Sequence, residues 1–304
     1  MYDIMIVGGG PAGLTAAVYA LRAGKTVLVI EKNGFGGQIA YSPKVENIPG
    51  TQQISGAAFA EALVEQAMNL GADVELENVL SVEKVDGTFR ASTEDGNTFE
   101  AKAVILAVGV KHRMLGLDGE EELIGNGLSF CAVCDGAFYT GQEVAMIGGG
   151  NSALQEALLL SEVCKKVTVI QNLADFTGER KLADAFMEKE NTTAVFNTVV
   201  TGYESTDGAL SGLKLRNDVT GEESRISVDG TFLAVGLMPE NDAFKSLAEL
   251  NDWGYFASGE DCLTATEGVF VAGDCRSKRI RQVVTASADG AVAAMAACRY
   301  IEEQ

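Results

Sequence analysis

The chain has 304 residues and carries 23 Lys and Arg against 43 Asp and Glu, a formal net charge of −20. Hydrophobic residues make up 47% and charged residues 22%, the balance of a globular chain of about two domains. So large an acid excess argues against general binding of nucleic acid or anionic membrane surfaces, and the lone histidine, His112, excludes multi-histidine zinc and iron sites.

Residues 2–7 read as a buried strand, starting so early that no signal peptide is expected, and they run into Gly8-Gly9-Gly10-Pro11-Ala12-Gly13. Residues 14–23 read as a helix stopped by Gly24, and residues 26–30 as a second strand ending at Glu31. In such a unit Gly8 allows a tight turn, Gly10 lets backbone approach a pyrophosphate, and Gly13 lets helix and strand pack closely. The helix N-terminus offers free N–H groups to phosphate, and Glu31 can accept hydrogen bonds from a ribose diol. A strand over residues 105–110 closes the unit. His112 follows it between Lys111 and Arg113, two charges expected to depress its basicity.

Of six cysteines, only Cys131 and Cys134 lie close together, in Cys131-Ala132-Val133-Cys134-Asp135-Gly136. A zinc site lacks its other ligands, so this CxxC reads as a dithiol redox centre. Asp135 reads either as an acid or base for the thiols or as a turn residue before Gly136. Cys164, Cys262, Cys275 and Cys298 read as small core or surface residues, with no further role assigned.

The strand–turn–helix–strand pattern then repeats. Residues 144–147, Gly148-Gly149-Gly150-Asn151-Ser152-Ala153, a helix over 154–162 and a strand over 167–170 match the first unit in register, with Gln171 opposite Glu31. Residues 232–237 close this second unit. A further buried strand over 268–272 ends at Gly273-Asp274 and is followed by a small-residue helix over 282–301. The fold expected is α/β, with two Rossmann-like, doubly wound, three-layer dinucleotide-binding domains, the second inserted into the first. Residues 1–113 and 240–304 are assigned to the first, and 114–239 to the central domain carrying the CxxC.

The glycine loop, Gly36-Gly37-Gln38-Ile39, Val45-Glu46-Asn47-Ile48-Pro49-Gly50, the CxxC with Asp135-Gly136, Gly273-Asp274 and Arg281-Gln282 occur together in this order. On these motifs the whole chain resembles the low-molecular-weight flavoprotein thioredoxin reductases. The resemblance implies FAD bound by the first domain, with contacts at Gly8, Gly10, Pro11, Ala12, Gly13, Glu31, Lys32, Gly37, Gln38, Asn47, Gly109, Gly273, Asp274, Arg281, Gln282 and Val283. It implies that Cys131 and Cys134 take electrons from the flavin and pass them to thioredoxin. Cys131 is then the nucleophile toward the substrate disulfide, Cys134 the flavin-facing partner and Asp135 the acid/base. A cytoplasmic homodimer whose central domain rotates between flavin and solvent is also implied.

One departure bears on the electron donor. NADPH-using members carry an HRR triplet after the second central strand and another arginine four residues on, whereas this chain has Gln171-Asn172-Leu173-Ala174-Asp175-Phe176-Thr177. It lacks both arginines for a 2′-phosphate and an acid for a ribose diol. Gly148, Gly150 and Ala153 nevertheless keep the phosphate loop, either as inherited packing or as a working site. Arg276, Lys278, Arg279 and Arg281 place four cations in six positions, and Lys111 and Arg113 form a second basic cluster. These read either as solvated loops or as a docking patch for an acidic one-electron carrier. The resemblance is therefore strongest to the ferredoxin-dependent flavin thioredoxin reductases. A nicotinamide-linked enzyme with an atypical nucleotide site is the alternative, and a non-enzymatic flavin redox sensor a third reading.

Overall fold

The computed structural model describes residues 1–42 and 45–304. Successive side chains of β1 (Tyr2–Val7) point to opposite faces, Ile4 and Ile6 to one apolar cluster and Met5 and Val7 to another. A strand buried on both faces has to be apolar, which is why its fully buried part, residues 4–7, is an uninterrupted hydrophobic run. α1 (Pro11–Arg22) and β2 (Val27–Glu31) complete the first βαβ start. α2 (Gly56–Asn69), β3 (Asp73–Leu76), β4 (Val79–Val85), β5 (Thr88–Thr93) and β6 (Thr98–Leu106) follow. After β7 (Lys111–His112) come β8 (Leu128–Ser129), α3 (Ala132–Asp135), β9 (Glu143–Ile147), α4 (Asn151–Ser161), β10 (Lys166–Ile170), α5 (Arg180–Met187) and β11 (Thr192–Val195). β12 (Thr198–Thr206), β13 (Ala209–Asn217), β14 (Glu223–Ser227), β15 (Gly230–Leu233) and β16 (Leu237–Met238) lead to β17 (Val269–Val271) and α6 (Val283–Glu302).

The chain divides into two compact units, Met1–Lys111 with Met238–Gln304, and His112–Leu237. Both crossings lie two residues before the boundaries expected from sequence. In the first unit β3, β2, β1, β6 and β17 pair in parallel in that order, while β5 and β4 extend the first half of β6 as an antiparallel ribbon. One face of this sheet packs on α1 and α6, and the other on β4, β5 and the Phe244–Phe256 segment. The second unit has a parallel sheet in the order β11-β10-β9-β15-β8 and a separate antiparallel sheet, β12-β13-β14.

Both Rossmann helices start three residues earlier than residues 14 and 154, at Pro11 and Asn151. Proline suits the first helical position because its missing N–H has no intrahelical partner to lose. The closing strands end at Leu106 and Leu233, short of residues 110 and 237, because the chain turns at Gly109 and Gly236, with φ of 68° and 116°.

Candidate functional site

The β1–α1 turn in the first unit is set by contact. Gly8 has φ of 109°, and a Cβ there would lie 2.3 Å from the Ala107 carbonyl oxygen; one on Gly13 would lie 1.9 Å from the Gly8 oxygen. Only glycines allow β1, α1 and β6 to meet this closely. Gly10 is the α1 N-cap and contributes no side chain, so the N–H groups of the first turn face outward with the positive end of the helix dipole. Glu31, at the end of β2, accepts the Gly9 N–H at 2.7 Å and the Asn33 N–H at 3.0 Å. Gly37 approaches Gly10 backbone to backbone. The Gln38 amide donates to the Val110 carbonyl, and Asn47 donates to the Gln282 side chain at 3.2 Å. Gln282 N-caps α6 in a reciprocal pair with Thr285, which places Val283 in the first turn of that helix. Lys32 points instead to Glu240, at 2.6 Å.

Gly273 and Asp274 turn the chain out of β17. The Asp274 carboxyl is pushed up by burial, which the nearby cations Lys278, Arg281 and Arg276 oppose, and its Oδ1 is buried with no partner. Arg281 donates to the Asp274 carbonyl at 3.3 Å and lies over the Tyr255 ring at 4.4 Å.

In the second unit Cys131 and Cys134 are joined as a disulfide across a Cα–Cα distance of 5.3 Å. Cys131 caps the single-turn α3, its Sγ accepting the Cys134 N–H at 3.2 Å. Asp135 accepts the Ser129 hydroxyl at 2.6 Å, and Ser129 Oγ accepts the Cys131 N–H at 3.1 Å. Burial raises the Asp135 carboxyl above the usual range, although the Ser129 bond opposes it, and Asp135 Oδ1 has no partner. Glu156 of α4 accepts the Ala132 N–H at 2.8 Å, and burial raises it too. Ser129 and Glu156 were missed by sequence reasoning. Ser129 lies two residues before Cys131, but nothing local marks Glu156, which arrives from a helix 24 residues on.

The glycine loop of the second unit repeats the first. The N–H groups of Thr177 and Gly178 both donate to the Gly149 carbonyl at 2.9 Å, as Gly36 does to Gly9 at 2.8 Å. Gln171 lies against Gly149 where Glu31 lies against Gly9, and donates to the Asp175 carbonyl at 3.3 Å. Asn151, first in α4, accepts the Glu179 N–H at 2.6 Å. Arg180 faces Asp184 at 3.6 Å and is exposed.

A family model for pyridine nucleotide-disulphide oxidoreductases matches residues 2–290. Thioredoxin reductases of Listeria monocytogenes and Bacillus subtilis are 40% and 37% identical over 304 residues, covering the whole chain and 95% and 96% of those proteins. The chain belongs to the pyridine nucleotide-disulphide oxidoreductases, among the thioredoxin reductases. A solved thioredoxin reductase of Streptococcus pyogenes matches with a TM-score of 0.94 at 35% identity, covering 100% of this chain and 99% of that one. A Lactococcus lactis thioredoxin reductase, in a form described as the FR conformation, matches with a TM-score of 0.70 at 33% identity over 100% of both chains.

Thioredoxin reductases of this family are flavoproteins that use FAD, and the first unit fits it. Its open α1 N-terminus suits a pyrophosphate, while the unpartnered Asp274 Oδ1 suits a hydroxylated chain. A side chain at Gly109 would meet nothing within 4 Å, which leaves room beside that turn.

The docking patch expected of Arg276, Lys278, Arg279, Lys111 and Arg113 is not formed as such. The Arg276 and Lys278 side chains are 1% and 5% exposed and both bind Asp289, while Lys111 pairs with Glu240 at 2.9 Å. Asp289, which is 11 residues beyond Lys278 on α6, draws both cations inward. Arg279 is exposed. Ferredoxin dependence also finds no support among the relatives, which are described simply as thioredoxin reductases. His112 has its basicity depressed to about 4, as expected in direction, but through burial rather than its charged neighbours; its ring stacks on Phe130 at 4.5 Å. Cys164, Cys262, Cys275 and Cys298 are all buried, and burial pushes the first three thiols up to about 11, 12 and 12. These are packing thiols rather than reactive ones. No helix among the described residues is long and apolar enough to cross a membrane, and no group of three or more potential metal ligands occurs among them.

Proposed function

We propose that this thioredoxin reductase reduces the disulfide of thioredoxin through Cys131 and Cys134, with electrons drawn from a pyridine nucleotide. The observation that carries the proposal is the Cys131–Cys134 disulfide capping a helical turn beside two half-buried carboxyls, Asp135 and Glu156. FAD, when bound, supplies the two-electron relay between donor and disulfide. Gly8, Gly10, Pro11, Ala12 and Gly13 are proposed to hold its pyrophosphate and Glu31 its ribose. Gly37, Gln38, Asn47, Gly109, Gly273, Asp274, Arg281, Gln282 and Val283 line the rest. Lys32 is a weaker member of this set because its ammonium is turned to Glu240.

In the reduced state the Cys131 thiolate attacks one sulfur of the thioredoxin disulfide, breaking that bond and forming a mixed disulfide. The Cys134 N–H that Cys131 Sγ accepts stabilises this thiolate. Cys134 then attacks Cys131 Sγ, restoring the internal disulfide and releasing thioredoxin as a dithiol. Asp135, whose carboxyl is raised by burial, is the proposed proton donor to the leaving thiolate. A Cys134→Ser variant should accumulate a covalent complex with thioredoxin through Cys131, and Cys131→Ser should accumulate none.

The pyridine-nucleotide donor is supported by the family match and by the retained turn at Gly148, whose φ is 122°. One observation favours a second reading, reduction by ferredoxin or another one-electron protein: residues 171–177 contain no arginine to meet a 2′-phosphate. Anaerobic titration with NADH, NADPH and reduced ferredoxin separates the two. Flavin bleaching by a nicotinamide nucleotide upholds the first reading, and bleaching by ferredoxin alone upholds the second. A cytoplasmic homodimer is also proposed, and the exposed apolar side chains of Tyr19, Leu263, Val292 and Met295 in the first unit support the dimer.

A further inference from the structure

Ser129 closes β8, the edge strand that pairs in parallel with Thr231 and Phe232 of β15, and it is buried. Its hydroxyl lies between two parts of the exchange site. Ser129 Oγ accepts the Cys131 N–H at 3.1 Å, and its O–H donates to Asp135 Oδ2 at 2.6 Å. Asp135 Oδ1 is buried and has no partner. The next N–H groups of the turn are held by other side chains, Ala132 by Glu156 at 2.8 Å and Cys134 by Cys131 Sγ at 3.2 Å. Among the described residues, Ser129 is therefore the side chain that bonds both the acid and the backbone of a redox cysteine.

These bonds assign the hydrogens. A hydroxyl has one hydrogen to give, and among the described residues Asp135 Oδ2 is its acceptor. With a proton on Oδ2, that proton and the Ser129 hydrogen would compete for one bond, leaving a buried donor unsatisfied. A proton carried by Asp135 therefore sits on Oδ1. When Asp135 ionises, the Ser129 O–H stabilises the carboxylate that remains. We propose that Ser129 is a positioning residue for thiol–disulfide exchange: it ties Asp135 through Oδ2 to the Cys131 backbone and leaves Oδ1 as the oxygen that delivers the proton. The inference rests on Asp135 being the proton donor. As Cys134 attacks Cys131 Sγ, the bond between Cys131 and thioredoxin breaks, and its electron pair leaves on the thioredoxin sulfur. Oδ1 gives that sulfur a proton, and the carboxylate left behind, still held by Ser129, regains one from water. Glu156 on α4 and Tyr139 in the turn Gly136–Tyr139 are the titratable groups that face α3 from the elements packed against it. Neither hydrogen-bonds the Asp135 carboxyl, whose rise through burial the Ser129 bond opposes.

The test is single-turnover exchange. FAD-loaded protein is reduced anaerobically with dithionite, freed of excess reductant and mixed with oxidised thioredoxin from about pH 6 to 10, and thioredoxin thiols are counted against time. In Ser129→Ala the acid loses both its orienting bond and the donor that favours its ionised form. The rate should fall about tenfold at neutral pH, and the decline toward high pH should begin about one pH unit later than in wild type. Ser129→Thr keeps the hydroxyl and Ser129→Val has nearly the same shape without it, so the first should keep most of the rate and the second should match Ser129→Ala. An alkaline midpoint unmoved in Ser129→Ala would overturn the proposal and leave Ser129 a turn residue, as would equal rates in Ser129→Thr and Ser129→Val. Should the larger side chains prevent folding, Ser129→Ala still decides. Exchange at the wild-type rate by Asp135→Asn would instead overturn the proton-donor assignment, and this inference with it.

Discussion

Asp135 is half-buried, with its Oδ1 buried and unpartnered and its carboxyl raised, so the folded state favours the protonated form more than the unfolded chain does. A raised acid of this kind supports folding below its unfolded pKa and loses that contribution as pH rises through the folded one. Asp135→Asn should therefore raise the melting temperature at pH 8 relative to wild type, while slowing thioredoxin reduction by about a hundredfold. A variant with unchanged turnover would remove Asp135 from the exchange chemistry. Glu156 works through a single bond, to the Ala132 N–H. Glu156→Ala leaves that donor unsatisfied, at a cost of about 1–3 kcal/mol, and should slow exchange. Glu156→Gln, which keeps an acceptor, should restore most of the rate, and equal impairment in both variants would show that the charge is what matters.

Contacts between elements explain much of the glycine excess. A Cβ on Gly290 would lie 2.1 Å from the Ala12 carbonyl oxygen, so α6 crosses α1 with backbone against backbone beside the turn proposed to hold FAD. Gly290→Ala should force the helices apart, cost about 1–3 kcal/mol and weaken FAD retention, as measured by urea unfolding with and without added FAD. Unchanged stability would mean that the helices can separate without loss. The two βαβ units were legible because their glycines, apolar strands and spacing are all local. The hairpins were equally local but went unread. Asp86-Gly87 and Asp207-Gly208 have positive φ at both positions, the turn that Asp-Gly favours, and they join β4 to β5 and β12 to β13.

At the scale of the whole molecule, the net charge of −20 and the buried cations belong together. In so acidic a chain a run of basic residues looked like an exposed patch, since the sequence window contains no acid to bind it. The partner, Asp289, lies on another element, and only the fold brings it to Arg276. The same limit hid Glu156 from the CxxC, whereas the cysteines themselves were plain from their spacing. Self-repulsion of the remaining surface acids should make the melting temperature rise as salt is raised from about 0.01 to 0.15 M, a range over which screening shortens from about 30 to 8 Å. A fall over that range would mean that attractive surface pairs dominate instead.

Delivery of electrons to thioredoxin by Cys131 and Cys134 can be measured without choosing a donor. FAD-loaded protein is reduced anaerobically with dithionite, freed of excess reductant and mixed with oxidised thioredoxin, whose thiols are then counted. Thioredoxin dithiol should form with the wild-type chain, and none with Cys131→Ser. Thioredoxin that stays oxidised beside the reduced wild-type protein, or is reduced equally by Cys131→Ser, would contradict it.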